Sequence, residues 1–200
     1  MPCQAAGCTF NHNAHHCLLC RNDNSNHIAQ NCPNINNANL FHGTTVGAAA
    51  AISQNGLQES QGGRMGRGVY FASKKAARNV AIHRNKENGN NGVSVVFICR
   101  VNLGNMRTLP TGTDDPNGTW RTNSFNSCHG MHPPWGGNTD HFNEFCVETN
   151  RVTIIGLELC NGTFNGNINL PGCDIWIRGN VTMNGSITAG NLNIGGECHL

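Results

Sequence analysis

Two groups of residues in this sequence have types and spacings that could do chemistry. In the first, running from Leu40 to Ala72, a polar His42-Gly43-Thr44 follows an apolar Leu40-Phe41, and a loop holding Gly62, Gly63, Gly66 and Gly68 returns to Val69-Tyr70-Phe71-Ala72. That composition describes a binding cleft rather than a core, because glycines let a backbone approach a ligand closely. The second group lies at the N-terminus. Cys17-x2-Cys20-x6-His27-x4-Cys32 offers three thiolates and an imidazole, a closed tetrahedral set for structural zinc, and Cys3-x4-Cys8-x3-His12-x3-His16 has workable spacing for another. With so few large apolar side chains, the segment would draw most of its folding energy from the metal. The alternative for the same cysteines is free thiols in an Asn-rich tail.

Composition bounds what these residues can belong to. Two hundred residues suit one ordinary domain plus small modules, and a charged fraction of 12% with a mean hydropathy of -0.38 is that of a soluble globular chain. A net charge of only +2 leaves any nucleic-acid affinity to a local patch. The N-terminal MPCQAAGCTF lacks the charged and apolar regions of a signal peptide, and no apolar run approaches membrane-spanning length, so the expected location is intracellular, cytoplasm or nucleus, with no membrane contact. Crowded cysteines in such a compartment read as metal ligands before disulfides.

The elements that must position the cleft residues follow from local patterns. A strand ending near His42 leads into an Ala-rich helix that stops at Asn55-Gly56. Ser73 caps a helix from Lys74 to about Arg84, with Ala76, Ala77, Val80 and Ala81 on one side. Val93 to Leu103 reads as a buried strand, and Thr108 to Asp140 as a long loop with little regular structure. From Phe142 to Glu148 the alternation points Glu144 to one face while Phe145 and Val147 enter the core. Arg151 to Leu159 is a closing strand. The last 40 residues repeat Gly-Asn followed by apolar-polar-apolar at Gly166, Gly179 and Gly190, with starts 13 and 11 residues apart. They suit a β-solenoid or hairpin stack that leans on the preceding domain, on another chain, or on a longer array, with self-assembly as one consequence. The alternative is an Asn/Gly-rich tail with accidental regularity.

The ordered motifs His42-Gly43-Thr44, Gly56-Leu57, Gly68-Val69-Tyr70-Phe71-Ala72, the strand running into Leu103-Gly104, and Asn143-Glu144-Phe145 resemble the catalytic domain of the poly(ADP-ribose) polymerase type of ADP-ribosyltransferase. The resemblance implies an α+β fold with ADP-ribosyltransferase-like split antiparallel sheets and short helices, over residues 38–160. It would be preceded by a zinc module (1–36) and followed by the β-repeat tail (161–200). It further implies transfer of ADP-ribose from NAD to a protein or nucleic-acid acceptor, mono more readily than poly. In that scheme Glu144 would stabilise positive charge on the reacting ribose and hold the acceptor. His42 would hydrogen-bond the adenosine ribose, Gly43 the nicotinamide amide, Tyr70 would stack on the nicotinamide ring, and Thr44 completes the NAD-binding motif. Arg64 and Arg67, flanking the loop glycines, would meet pyrophosphate, although loop arginines usually meet water.

Two departures qualify the resemblance. Where family members carry a Ser and a second Tyr in the helix after Tyr70, this chain has Arg78 and Ala81, so half of an aromatic sandwich is missing unless His83 or a loop residue substitutes. A catalytically silent NAD- or ADP-ribose-binding module in a zinc-finger scaffold is therefore the competing reading. In addition, the first Cys/His set resembles the CCHC zinc knuckle of nucleic-acid-binding proteins, with two extra residues between Cys20 and His27. Phe10 is the one aromatic of the module, so a protein-docking finger stands beside a grip on single-stranded nucleic acid. A dehydrogenase fingerprint fails, since Gly63-x-x-Gly66-x-Gly68 runs into a strand and not a helix. An RNA 2'-phosphotransferase shares His-Gly-Thr but not the Tyr-Phe-Ala and Asn-Glu-Phe segments.

Overall fold

The computed structural model describes Cys17, Leu19 and residues 27–198. Among the described residues nine strands form one sheet: β1 (Ala38–Thr44), β2 (Val69–Ala72), β3 (Ser94–Val101), β4 (Met106–Thr108), β5 (Ser127–His132), β6 (Phe142–Val147), β7 (Val152–Asn165), β8 (Ile168–Asn184) and β9 (Ile187–Ile194). Their order is β4-β5-β6-β2-β1-β3-β7-β8-β9. The sheet is nearly split in the middle, because β2 meets β1 at a single paired position, Phe41 opposite Ala72. On its other edge β1 pairs with β3 along its whole length. Among the described residues no helix is long and apolar enough to cross a membrane.

Helix α1 (Val46–Asn55) and helix α2 (Lys74–Glu87) cover opposite sides of the central strands. Gly56, in a left-handed conformation at φ 75°, ends α1 as the sequence requires, and Ser73 caps α2 by accepting from the Ala76 N–H. The small residues of α2 allow very close packing on β1. A Cβ on Gly43 would sit 2.0 Å from the Ala77 carbonyl oxygen, so only glycine fits there. Buried Asn85 then ties four segments together: its amide donates to the carbonyls of Thr44, Ala81 and Val93 and accepts from the Val46 N–H. With all its hydrogen bonds made, it fixes where β1 ends and α1 and β3 begin.

The region from 108 to 140 departs from the expected loop. It holds α3 (Thr119–Thr122) and β5, and the preceding β4 pairs in parallel with β5. Ser127-Cys128-His129-Gly130 carries too little apolar alternation to announce a strand; pairing with β6 and β4 makes it one. Asp115 caps α3 through the N–H groups of Thr119 and Trp120, and buried Trp120 donates to the Met65 carbonyl at 2.7 Å.

The repeat tail is a parallel continuation of the sheet. β7 pairs with β8 and β8 with β9, all parallel, and α1 supports the stack where Ser53 Oγ accepts from the Asn169 N–H. The expected 11- and 13-residue units are not the rungs. Asn161 bonds the Asn180 N–H, Asn184 bonds Asn165, and Asn167 bonds the Ser186 N–H, each pair 19 residues apart. The first two sequence repeats both fall largely in β8, on either side of a shift in its pairing register between Leu170 and Asp174, so adjacent repeats do not stack on each other. β7 itself runs through position 161, so the tail begins inside the closing strand. A disulfide joins Cys160 on β7 to Cys198 beyond β9.

At the other end, Cys17, Leu19, Ala29 and Cys32 belong to the same buried cluster as Leu40, Phe71 and Val147. Gln30 donates to the Met106 carbonyl, and the Leu103 N–H to the Ile35 carbonyl. The described part of the Cys/His segment is thus packed against the main core.

Candidate functional site

The cleft is built where the sheet splits. On β2 and β6 the register sets Tyr70 opposite Cys146 and Ala72 opposite Glu144, so Tyr70 and Glu144 share one face. The alternate residues Val69, Phe71, Phe145 and Val147 are buried on the other, as the alternation in the sequence requires. Because β2 leaves β1 after one paired position, the edge of β1 beyond Phe41 has no ladder partner on that side among the described residues. His42 crosses this gap, with its Nδ1 2.8 Å from the Tyr70 carbonyl oxygen. A cleft of about 250 Å³ results, lined by His42, Tyr70, Glu144, Arg64, Arg84 and Trp135, with the loop residues Gly62 and Gly63 at its side. Gly43 joins His42, Tyr70, Glu144, Arg84 and Trp135 around a small adjoining hollow.

The protonation states follow from burial. A carbonyl only accepts, so the Nδ1 facing Tyr70 carries the proton and leaves Nε2 with a lone pair. Burial pushes His42 down to about 4, Arg84 adding to the fall and the Tyr70 carbonyl opposing it, which keeps the ring neutral at pH 7. Glu144 is half-buried, and burial pushes its carboxyl up to about 7 against the pull of Arg64 and Arg84. The Tyr70 hydroxyl donates to the Gly66 carbonyl and accepts from the Met65 N–H, so it anchors the glycine loop and leaves the ring as the working surface. Burial raises its pKa well above the usual phenol range, and nearby Cys146 adds to the rise.

The remaining expected residues are placed differently. Thr44 is buried with its carbonyl held by Asn85, and it lines neither cavity. Arg64 reaches the cleft, but its guanidinium is committed to Asp114 and to the Met131 and Thr113 carbonyls. Arg67 turns to Glu59 at 2.7 Å and is not among the lining residues. Arg78 points away into an ion pair with Glu158, and Ala81 is fully buried against Phe41 and Val96. Sequence reasoning missed Arg84 and Trp135. A Trp set among Pro133, Pro134, Gly136 and Gly137 was the available signal, since turn-formers hold a side chain at the surface. A larger groove of about 450 Å³ lies beside the start of α2, but it contains none of His42, Tyr70 or Glu144.

Of the metal ligands, Cys17, His27 and Cys32 offer donor atoms within 4.8 Å of one another. The Asn34 N–H also donates to the Cys32 sulfur at 3.4 Å, a bond that suits a thiolate. Cys20 and the whole second set, Cys3, Cys8, His12 and His16, lie outside the described residues.

Known proteins match part of this sequence. The chain is 36% identical over 85 residues to the protein mono-ADP-ribosyltransferase PARP3 of Gallus gallus, covering 40% of this chain and 15% of the relative. It is 35% identical over 79 residues to that of Mus musculus, 38% of this chain and 14% of the relative. It therefore spans about a seventh of the length of these relatives. The poly(ADP-ribose) polymerase catalytic domain family matches residues 14–134, more than half of the sequence, and the chain belongs to that family.

Proposed function

We propose that this chain is an NAD-dependent ADP-ribosyltransferase that moves one ADP-ribose from NAD to a protein acceptor and releases nicotinamide. The observation that carries the reading is the convergence of His42, Tyr70 and Glu144, drawn from three strands, on one cleft. The bond from ribose C1' to the nicotinamide nitrogen breaks and its electron pair neutralises the pyridinium. An acceptor lone pair then forms the new bond to C1', and the acceptor's proton is lost. Positive charge grows on the ribose between these events. Ionised Glu144 opposes that charge and holds a ribose hydroxyl, the preorganised electrostatic role that usually contributes most to such a rate. Neutral His42, with Nε2 free to accept, binds a hydroxyl of the second ribose. The unpaired edge of β1 at Gly43 offers backbone groups to the nicotinamide amide, and the Tyr70 ring takes the heteroaromatic face.

The test is incubation of the full chain with labelled NAD and protein acceptors, beside Glu144→Gln. Labelling by the wild type that the substitution removes supports the reading. Absence of both labelling and NAD hydrolysis would leave a silent binding module, which the displacement of Arg78 and Ala81 from the cleft favours. The soft donor set of Cys17, His27 and Cys32, with Cys20 as fourth ligand, suits structural zinc. Metal analysis of the purified chain should give zinc that Cys17→Ser reduces, with loss of thermal stability, because Cys17 and Cys32 sit in the main core.

A further inference from the structure

Trp135 is the largest side chain of this region left open to solvent, at 42% exposure, and it belongs to none of the hydrophobic clusters. An exposed indole on a mobile loop would need no explanation, but this one is held. The Asn138 backbone and side-chain N–H groups both donate to the Trp135 carbonyl at 3.0 Å. The same side chain is bonded by Asn79 of α2 at 2.9 Å and reaches the Ala76 carbonyl. Gly136, at φ 59°, lies so close to α2 that a Cβ would be 3.1 Å from a Val80 methyl. The loop is thus clamped to the helix that also packs on Gly43, and the indole lines both the cleft and its adjoining hollow together with Tyr70 and Glu144. The Arg84 guanidinium lies 5.7 Å from the ring centre, and the His83 and His132 rings flank it at 5.5 and 5.8 Å.

We infer that Trp135 is the second aromatic wall of the cleft and stacks on the nicotinamide ring, opposite the surface supplied by Tyr70. This deepens the proposed NAD reading and rests on it. Position 81 cannot supply that wall, since Ala81 has no exposed surface and faces the sheet. A rigid loop placed after β5 puts an aromatic at the cleft by another route. Trp135 sits one position beyond the stretch matched by the family. The wall belongs to the nicotinamide end because it shares the adjoining hollow with Gly43 and Tyr70, the two residues proposed above to meet the nicotinamide. Burying a stacked ring against indole is worth enough to be read in binding, about 1–3 kcal/mol for base-on-aromatic stacking, or roughly 5- to 150-fold in Kd.

The experiment measures binding of NAD, nicotinamide alone and ADP-ribose to the full chain, to Trp135→Ala and to Trp135→Phe. Expected are a rise of about tenfold or more in Kd for NAD and nicotinamide in the Ala variant, near-wild-type ADP-ribose binding, and substantial recovery in the Phe variant. Binding of NAD should also quench tryptophan emission in the wild type and lose most of that quenching in Trp135→Phe, a signature independent of affinity. Unchanged NAD and nicotinamide binding by Trp135→Ala, or weakened ADP-ribose with nicotinamide intact, overturns the inference while leaving the transferase reading standing. A wild-type chain that binds none of the three overturns both. Melting temperatures of the variants should match the wild type, as the indole is outside the core; a lower melt in both variants with unchanged relative affinities identifies a structural residue and overturns it too.

Discussion

Glu144 and Glu158 stand on different strands of one sheet and have opposite electrostatic settings. Glu158 on β7 is 1% exposed, yet Lys74, Arg78 and Arg178 come within 2.8, 2.5 and 3.4 Å of its carboxylate. Burial alone would raise its pKa, but hydrogen bonds from Lys74 and Arg78 hold it below the ordinary glutamate range. Glu144 on β6 is less buried but meets its arginines only at a distance, and burial wins. The partnered carboxylate spends its charge on structure, pinning α2 against the repeat stack. Glu144, with no ion pair among the described residues, is neutralised more easily, and its charged form gains most from a cation that appears only during a reaction. The same comparison explains why Arg78 is lost to the cleft: Glu158 has taken it.

The largest effect should come from Glu158→Gln, which leaves three cations around a neutral amide. Removing one partner from a buried ion pair costs about 3–5 kcal/mol, and urea unfolding should show that loss with NAD binding retained in the folded fraction. A stability change below about 1 kcal/mol would break the comparison. Next, Glu144→Gln should lower kcat by about 10²–10³, the cost typical of removing one preorganised electrostatic group, with no loss of stability.

The two carboxylates should also respond to pH with opposite sign. Glu144 has a folded pKa raised to about 7, so its contribution to stability is complete below about 4.5 and is lost as pH rises through about 7. The stability gap between Glu144→Gln and wild type should accordingly widen in favour of the variant from pH 5 to pH 8. Over the same range kcat/KM should rise about tenfold per pH unit below about 7 and then level off. Glu158, with a lowered folded pKa, stabilises above the ordinary glutamate value of 4.5 and loses that support as pH falls below it. The smallest effect belongs to Lys74→Met, whose side chain is 35% exposed and whose charge is screened by solvent; about 0–1 kcal/mol is expected, far below that of the carboxylate it touches.

Much of the cleft was legible because its parts are local. His42-Gly43-Thr44, the Asn55-Gly56 stop, the Ser73 cap and the alternation around Glu144 depend on neighbours in the chain, and each element formed where those patterns put it. The segment from 108 to 140 was illegible because its strand exists only through pairing with β4 and β6, and its helix through the Asp115 cap. That segment turned out to hold the glycine loop, through Trp120 on Met65 and Asp114 on Arg64. The repeats were visible as repeats but not as rungs, since the 19-residue spacing appears only in the pairing of separate strands and in the side-chain bonds of Asn161, Asn165 and Asn167.

The sequence by itself determined which chemical groups exist and the local elements that carry them, because caps, turns and strand alternation are decided within a few residues. The tertiary structure alone decided which charges find partners. Arg67 turned to Glu59, Arg78 to Glu158, and Arg84 and Trp135 came to the cleft from a helix face and a clamped loop. Such choices depend on distances of a few ångströms between residues many tens of positions apart, where Coulomb attraction and burial act through space and leave no trace in spacing along the chain.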